Sequence, residues 1–110
     1  MDCRVSQAIR ILEGPSALAH PPRLADLADR IGLSPSHLWH LFVEQVEATP
    51  ATYARTARLK HAAELLLLSQ LSVKEITVAI GFRSESHFVH EFRREFGVPP
   101  RTYRIDAIKS

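Results

Sequence analysis

The chain has 110 residues, 45% of them hydrophobic and 24% charged, enough for one compact domain that buries a core without metal or disulfide staples. Its single cysteine, Cys3, excludes an internal disulfide, and no Cys-x-x-Cys pair points to structural zinc, which favours a reducing compartment. A net charge of +2 permits a nucleic-acid partner without demanding one, and no apolar run approaches the roughly 18 residues of a membrane span.

The opening Met1-Asp2-Cys3-Arg4 lacks a basic end followed by a long apolar core, so it does not read as a signal peptide and the expected location is the cytoplasm. Val5, Ala8, Ile9 and Leu12 recur at helical spacing and predict a covering helix that ends near Gly14-Pro15, with Cys3 buried on it. Leu24, Leu27, Ala28 and Ile31 predict a second helix, and Gly32 follows where a helix end wants a positive φ. Ser34 then caps a third helix whose first position, Pro35, has no N–H to waste. Pro50 to Leu68 carries an apolar face of Tyr53, Ala57, Ala63, Leu66 and Leu67 and predicts a long connecting helix that fixes the spacing of its flanks. The polar face of that helix holds Arg55, Arg58 and Lys60, placed either to touch phosphate or to face water. Val73, Ile76 and Ile80 before Gly81, then Ser84 as a cap, repeat the earlier helix, turn and helix, and Pro99 opens a short last helix with Tyr103. No strand pattern occurs, so the expected fold is all-α, with two helix-turn-helix subdomains and about seven helices.

The chain is an internal repeat. Ser34-Pro35-Ser36-His37-Leu38-Trp39-His40-Leu41-Phe42 returns fifty positions later as Ser84-Glu85-Ser86-His87-Phe88-Val89-His90-Glu91-Phe92, both reading S-x-S-H-apolar-x-H-x-F. The match continues through Pro50 with Pro100, Thr52 with Thr102 and Tyr53 with Tyr103. Upstream the register shifts by one, because the second turn contains the extra Arg83. The expected boundaries are 1–49 for the first subdomain, 50–68 for the connecting helix and 69–110 for the second subdomain.

Charge is uneven along this repeat. Residues 1–52 hold four Lys and Arg against six acids, whereas residues 53–110 hold ten against six, so a phosphate-binding face is expected mainly in the second half. With Leu38, Leu41 and Phe42 inward, the 100° helical step turns Ser36, Trp39, His40 and Val43 outward, and Ser86, Val89, His90 and Arg93 in the second copy. Trp39 is suited either to cover a thymine methyl and sugar or to pack on a neighbouring helix. His37 and His87, at the third helical position, are placed for local contact with the cap. Arg58, Arg93, Arg94 and Arg104 are the expected phosphate neighbours, with surface salt bridges as the alternative.

Ile76-x-x-x-Ile80-Gly81-Phe82-x-Ser84-x-Ser86-His87-Phe88-x-x-x-Phe92-Arg93-Arg94-x-Phe96-Gly97-Val98-x-Pro100-x-x-Tyr103-Arg104 resembles the C-terminal signature of the arabinose-operon regulator (AraC/XylS) family of bacterial transcription factors. Arg58-Leu59-x-x-Ala62-x-x-Leu65-Leu66 and Leu27-Ala28-x-x-Ile31-Gly32-Leu33-Ser34 extend the likeness over nearly the whole chain. The resemblance implies sequence-specific binding of double-stranded DNA for transcription regulation, with two recognition helices in successive major grooves. It also implies that Glu85 and His87 lie near base edges beside Ser36, Trp39, His40, Ser86 and His90, although Glu85 in a first turn also suits the helix dipole. The first unit departs from the family at three places: His40 stands where arginine is usual, Val43 and Glu44 where basic residues are, and Glu47 where glycine is. If Glu47 keeps a left-handed conformation, the cost is about 1 kcal/mol.

The lost phosphate charge keeps a second role open, in which one helix-turn-helix mainly contacts RNA polymerase or a co-regulator while the other reads DNA. The pairs His37/His40 and His87/His90 each share a helical face, but on recognition helices about 34 Å apart they cannot share an ion. No nucleophile–base pattern or phosphate-cradling glycine loop marks an enzyme. No cofactor, metal or membrane partner is expected, and the isolated domain is expected to be a monomer.

Overall fold

A computed structural model describes residues 1–109 as eight α-helices, and no strand occurs among the described residues. The helices are α1 (Cys3–Glu13), α2 (Pro15–Ala19), α3 (Leu24–Ile31), α4 (Pro35–Val46), α5 (Pro50–Leu68), α6 (Val73–Ala79), α7 (Glu85–Phe96) and α8 (Pro100–Lys109). The chain divides within α5 into two compact units, Met1–Ala57 and Arg58 onward. None of the helices is long and apolar enough to cross a membrane.

In the first unit, Asp2 caps α1 by accepting from the Arg4 backbone N–H at 2.7 Å and from the Arg4 guanidinium, whose hydrogen bonds hold the carboxyl down at about 2. The buried stripe of α1 is Val5, Ala8 and Leu12. Cys3 is exposed rather than buried as expected: two residues before Val5 is a 200° turn, which puts the thiol on the opposite side of the helix. After Gly14 the chain makes α2, a five-residue helix opened by Pro15, whose fixed φ suits the first helical position. Leu27 and Ala28 of α3 and Leu38 and Phe42 of α4 complete the core with Ala54 of α5. Tyr53 packs edge-on against Phe42 at 5.7 Å, and its phenol donates to Glu13 at 2.6 Å. Burial, together with that bond, pushes the phenol up to about 12.

The second unit repeats the plan with larger side chains. Leu59, Ala62, Ala63 and Leu66 of α5 meet Ile76 and Ile80, Phe82, and Phe88 and Phe92 of α7. Tyr103 stands edge-on to Phe92 at 5.3 Å, as Tyr53 does to Phe42 fifty positions earlier. A reciprocal capping box opens α6: Ser72 Oγ accepts from the Glu75 N–H at 3.1 Å, and the Glu75 carboxylate accepts from the Ser72 N–H at 3.0 Å. Those bonds lower the Glu75 pKa, the Ser72 backbone N–H first.

Candidate nucleic-acid interface

Both units present the second helix of their helix-turn-helix, α4 and α7, with the same cap. Ser34 Oγ accepts the His37 backbone N–H at 3.2 Å and Ser84 Oγ accepts that of His87 at 3.1 Å, so each cap satisfies one orphan donor and sets where α4 and α7 begin. One face of each helix is pinned inward by residues with no exposure, Leu38 and Phe42 in α4 and Phe88 and Phe92 in α7. That leaves Ser36, Trp39 and His40 exposed on α4, with Val43 half-buried, and Ser86, His90 and Arg93 exposed on α7, with Val89 half-buried. Ser36 and Ser86, and His40 and His90, are thus exposed at matching positions, whereas the half-buried member of each set differs, Val43 opposite Arg93 and Val89 opposite Trp39 in the repeat.

Around α7, Glu85, Ser86, Val89, His90 and Arg93 line one open concavity of about 530 Å³. It is a mixed surface: a carboxylate and a hydroxyl at the first turn, an imidazole in the middle and a guanidinium below. Glu85 lies where the positive end of the helix dipole favours an anion, and Arg93 and Arg94 lie at the opposite end, where cations are favoured. Arg94 stands 3.7 Å from Glu91 one turn earlier, while Arg93 has no ion pair among the described residues. His87 is exposed, yet its ring meets Phe82 edge-on at 5.3 Å, which ties it to the turn as well as to the surface.

The α4 surface is chemically different. Trp39 is 38% exposed, and its indole meets the His40 ring on the same helix edge-on at 5.1 Å. No basic residue occupies the last turn of α4, and Glu44 and Glu47 are exposed there. Glu47 ends the helix at φ 63°, the one positive φ outside glycine among the described residues.

Two of the arginines expected near phosphate have intramolecular employment. Arg58 donates Nε and Nη2 to the Ile80 carbonyl at 3.1 and 2.8 Å, and burial lowers its pKa from the ordinary arginine value. Arg104 donates to the carbonyls of Leu66, Ser69 and Leu71 at 2.9, 3.4 and 2.7 Å, satisfying the open end of α5 and the loop after it. The exposed pair Arg93 and Arg94 thus differs in kind from Arg58 and Arg104, which are half-buried. Nothing in the spacing of Arg58 and Arg104 marks them as carbonyl donors. The Ser72-x-x-Glu75 box, by contrast, is a sequence pattern that announces itself.

A family model described as a helix-turn-helix domain matches residues 27–105. The HTH-type transcriptional regulator AlkR of Acinetobacter baylyi is 37% identical over 84 residues, covering 76% of this chain and 28% of that protein. The HTH-type transcriptional regulator GlxA of Rhizobium meliloti is 38% identical over 89 residues, covering 81% and 28%. The chain spans about a third of these relatives' length or less. Among solved structures, an AraC-type transcriptional regulator from Chromobacterium violaceum superposes with a TM-score of 0.87 at 29% identity, over 94% of this chain and 90% of that one. The DNA-binding domain of AdpA, solved with a target DNA, superposes with a TM-score of 0.83 at 26% identity, over 94% and 91%.

Proposed function

The chain belongs to the AraC-type helix-turn-helix family, and on that premise we propose that it binds double-stranded DNA sequence-specifically to regulate transcription, with α4 and α7 as recognition helices entering major grooves. The observation that carries this reading is the duplicated presentation: two Ser-capped helices, each held by two buried side chains, expose Ser and His at matching positions of their first two turns. On α7, Glu85, Ser86, His87 and His90 approach base edges, and on α4 Ser36, Trp39 and His40 do so. Arg93 and Arg94 neutralise phosphates and supply affinity more than sequence choice. The outward indole of Trp39 suits a thymine methyl, an apolar contact in place of the arginine-rich ones. The role is recognition rather than catalysis, and a DNA partner puts its work in the cytoplasm.

Selection of bound duplexes from a random pool at two salt concentrations tests the proposal. Two similar motifs in direct repeat, about 10 bp apart centre to centre, are expected if both helices read bases. A single half-site assigns reading to one helix and moves the other toward contact with RNA polymerase or a co-regulator. No enrichment at either salt concentration overturns sequence-specific binding by this chain.

A further inference from the structure

The turns before the two recognition helices differ in length, and the difference has a structural partner. In the first unit the Gly32 and Leu33 N–H groups both bond to the Ala28 carbonyl, at 2.9 and 3.0 Å, and Ser34 follows at once as the cap. In the second, Gly81 bonds to Val78 and Phe82 to Thr77, each at 3.1 Å, and the extra Arg83 intervenes before Ser84. The Ile80 carbonyl of this longer turn accepts two N–H groups of Arg58. The same guanidinium lies over the Phe82 ring, 4.4 Å from its centroid. Phe82 in turn meets His87 at 5.3 Å and Phe88 at 5.4 Å, both in the first turn of α7. A contiguous path therefore runs from a planar, two-pronged donor on α5 through the turn to the residues flanking Ser86. The first unit has Leu33 in the place of Phe82, with no aromatic face for a cation to cover.

We propose that Arg58 is a positioning residue for base reading by α7: it clamps the longer turn and sets the orientation of the recognition helix, and it is not a phosphate contact. This deepens the DNA-binding reading and rests on it.

The test uses the 110-residue chain with its selected duplex and a scrambled duplex, titrated over a range of salt, with Arg58→Lys, Arg58→Met and Phe82→Leu variants. Lysine keeps the charge that a phosphate needs but lacks the planar fork. Both Arg58 variants are expected to lose about tenfold or more of the preference for the selected duplex, the scale of one good base contact, with an unchanged salt slope. Phe82→Leu keeps an apolar side chain and is expected to show the same loss in milder form. Adding it to Arg58→Met should lose no more than Arg58→Met alone, because both break one path. Equal weakening on both duplexes with the salt slope reduced by about 1, rescued by lysine, makes Arg58 a phosphate contact and overturns the proposal. Preference retained in all three variants overturns it too. Should Arg58→Met fail to fold, Arg58→Lys and Phe82→Leu decide the matter on the same readouts. A wild-type chain that does not distinguish the duplexes overturns the DNA reading itself, and this inference with it.

Discussion

At Glu47 the backbone turns left-handed at φ 63° with a side chain in place, whereas Gly97, its partner in the repeat, makes the comparable turn at φ 83° without one. A Cβ in that region crowds the neighbouring carbonyl, and glycine avoids the contact. Glu47→Gly is therefore expected to stabilise the chain by about 1 kcal/mol, visible as a higher urea midpoint with an unchanged slope. Glu47→Ala, which keeps the Cβ, should gain far less; equal gains would show that the carboxylate, not the backbone, carries the cost. This position was legible in the sequence because the duplicated unit supplies glycine at the matching place. Arg58 was not. An arginine on the polar face of a predicted helix has the same spacing whether it faces water, a phosphate or a carbonyl from a turn 22 residues away.

Between elements, the Tyr53–Glu13 hydrogen bond joins α5 to the end of α1. The phenol is raised from 10.0 to about 12, first by burial and then by Glu13, so the folded state favours its protonated form. A group raised in this way contributes stability in full below its unfolded value, and the contribution fades as pH rises through the folded one. Stability is thus expected to fall between about pH 10 and pH 12, and the fall should be shallower in Tyr53→Phe, which keeps the ring against Phe42. Urea unfolding on either side of that window measures it; identical pH dependence in the two proteins would remove Tyr53 from the explanation. The helices themselves were largely readable, since Ser34, Ser84, Gly32 and Gly97 are caps with a mechanism. The exception is α2, whose five residues are too few to show a helical period, and whose Pro15 reads in the sequence only as the end of the helix before it.

Over the whole molecule, two cores of unequal make-up carry two exposed helix faces of unequal charge. Phe82, Phe88, Phe92 and Phe96 stack through the second core where Leu33, Leu38, Phe42 and Val46 stand in the first, a difference the repeat made readable. Most of the outward face of α4 and of α7 was readable as well, because a 3.6-residue period fixes direction once the buried side is known, with Val43 and Val89 half-buried at the edge of those faces. What the chain could not display in one dimension was how its basic residues are shared between carbonyls and solvent. On the proposed reading, Arg93→Gln and Arg94→Gln should each lower the slope of log affinity against log salt by about 1 and leave the preferred DNA sequence unchanged. A slope that does not move would remove that arginine from the phosphate contacts. These titrations also have a ready instrument. Cys3 is the one thiol in the chain, and it is exposed on the side of α1 away from Val5, Ala8 and Leu12. A maleimide fluorophore will attach there at a single known place with no substitution, so the natural chain can report its own binding by anisotropy.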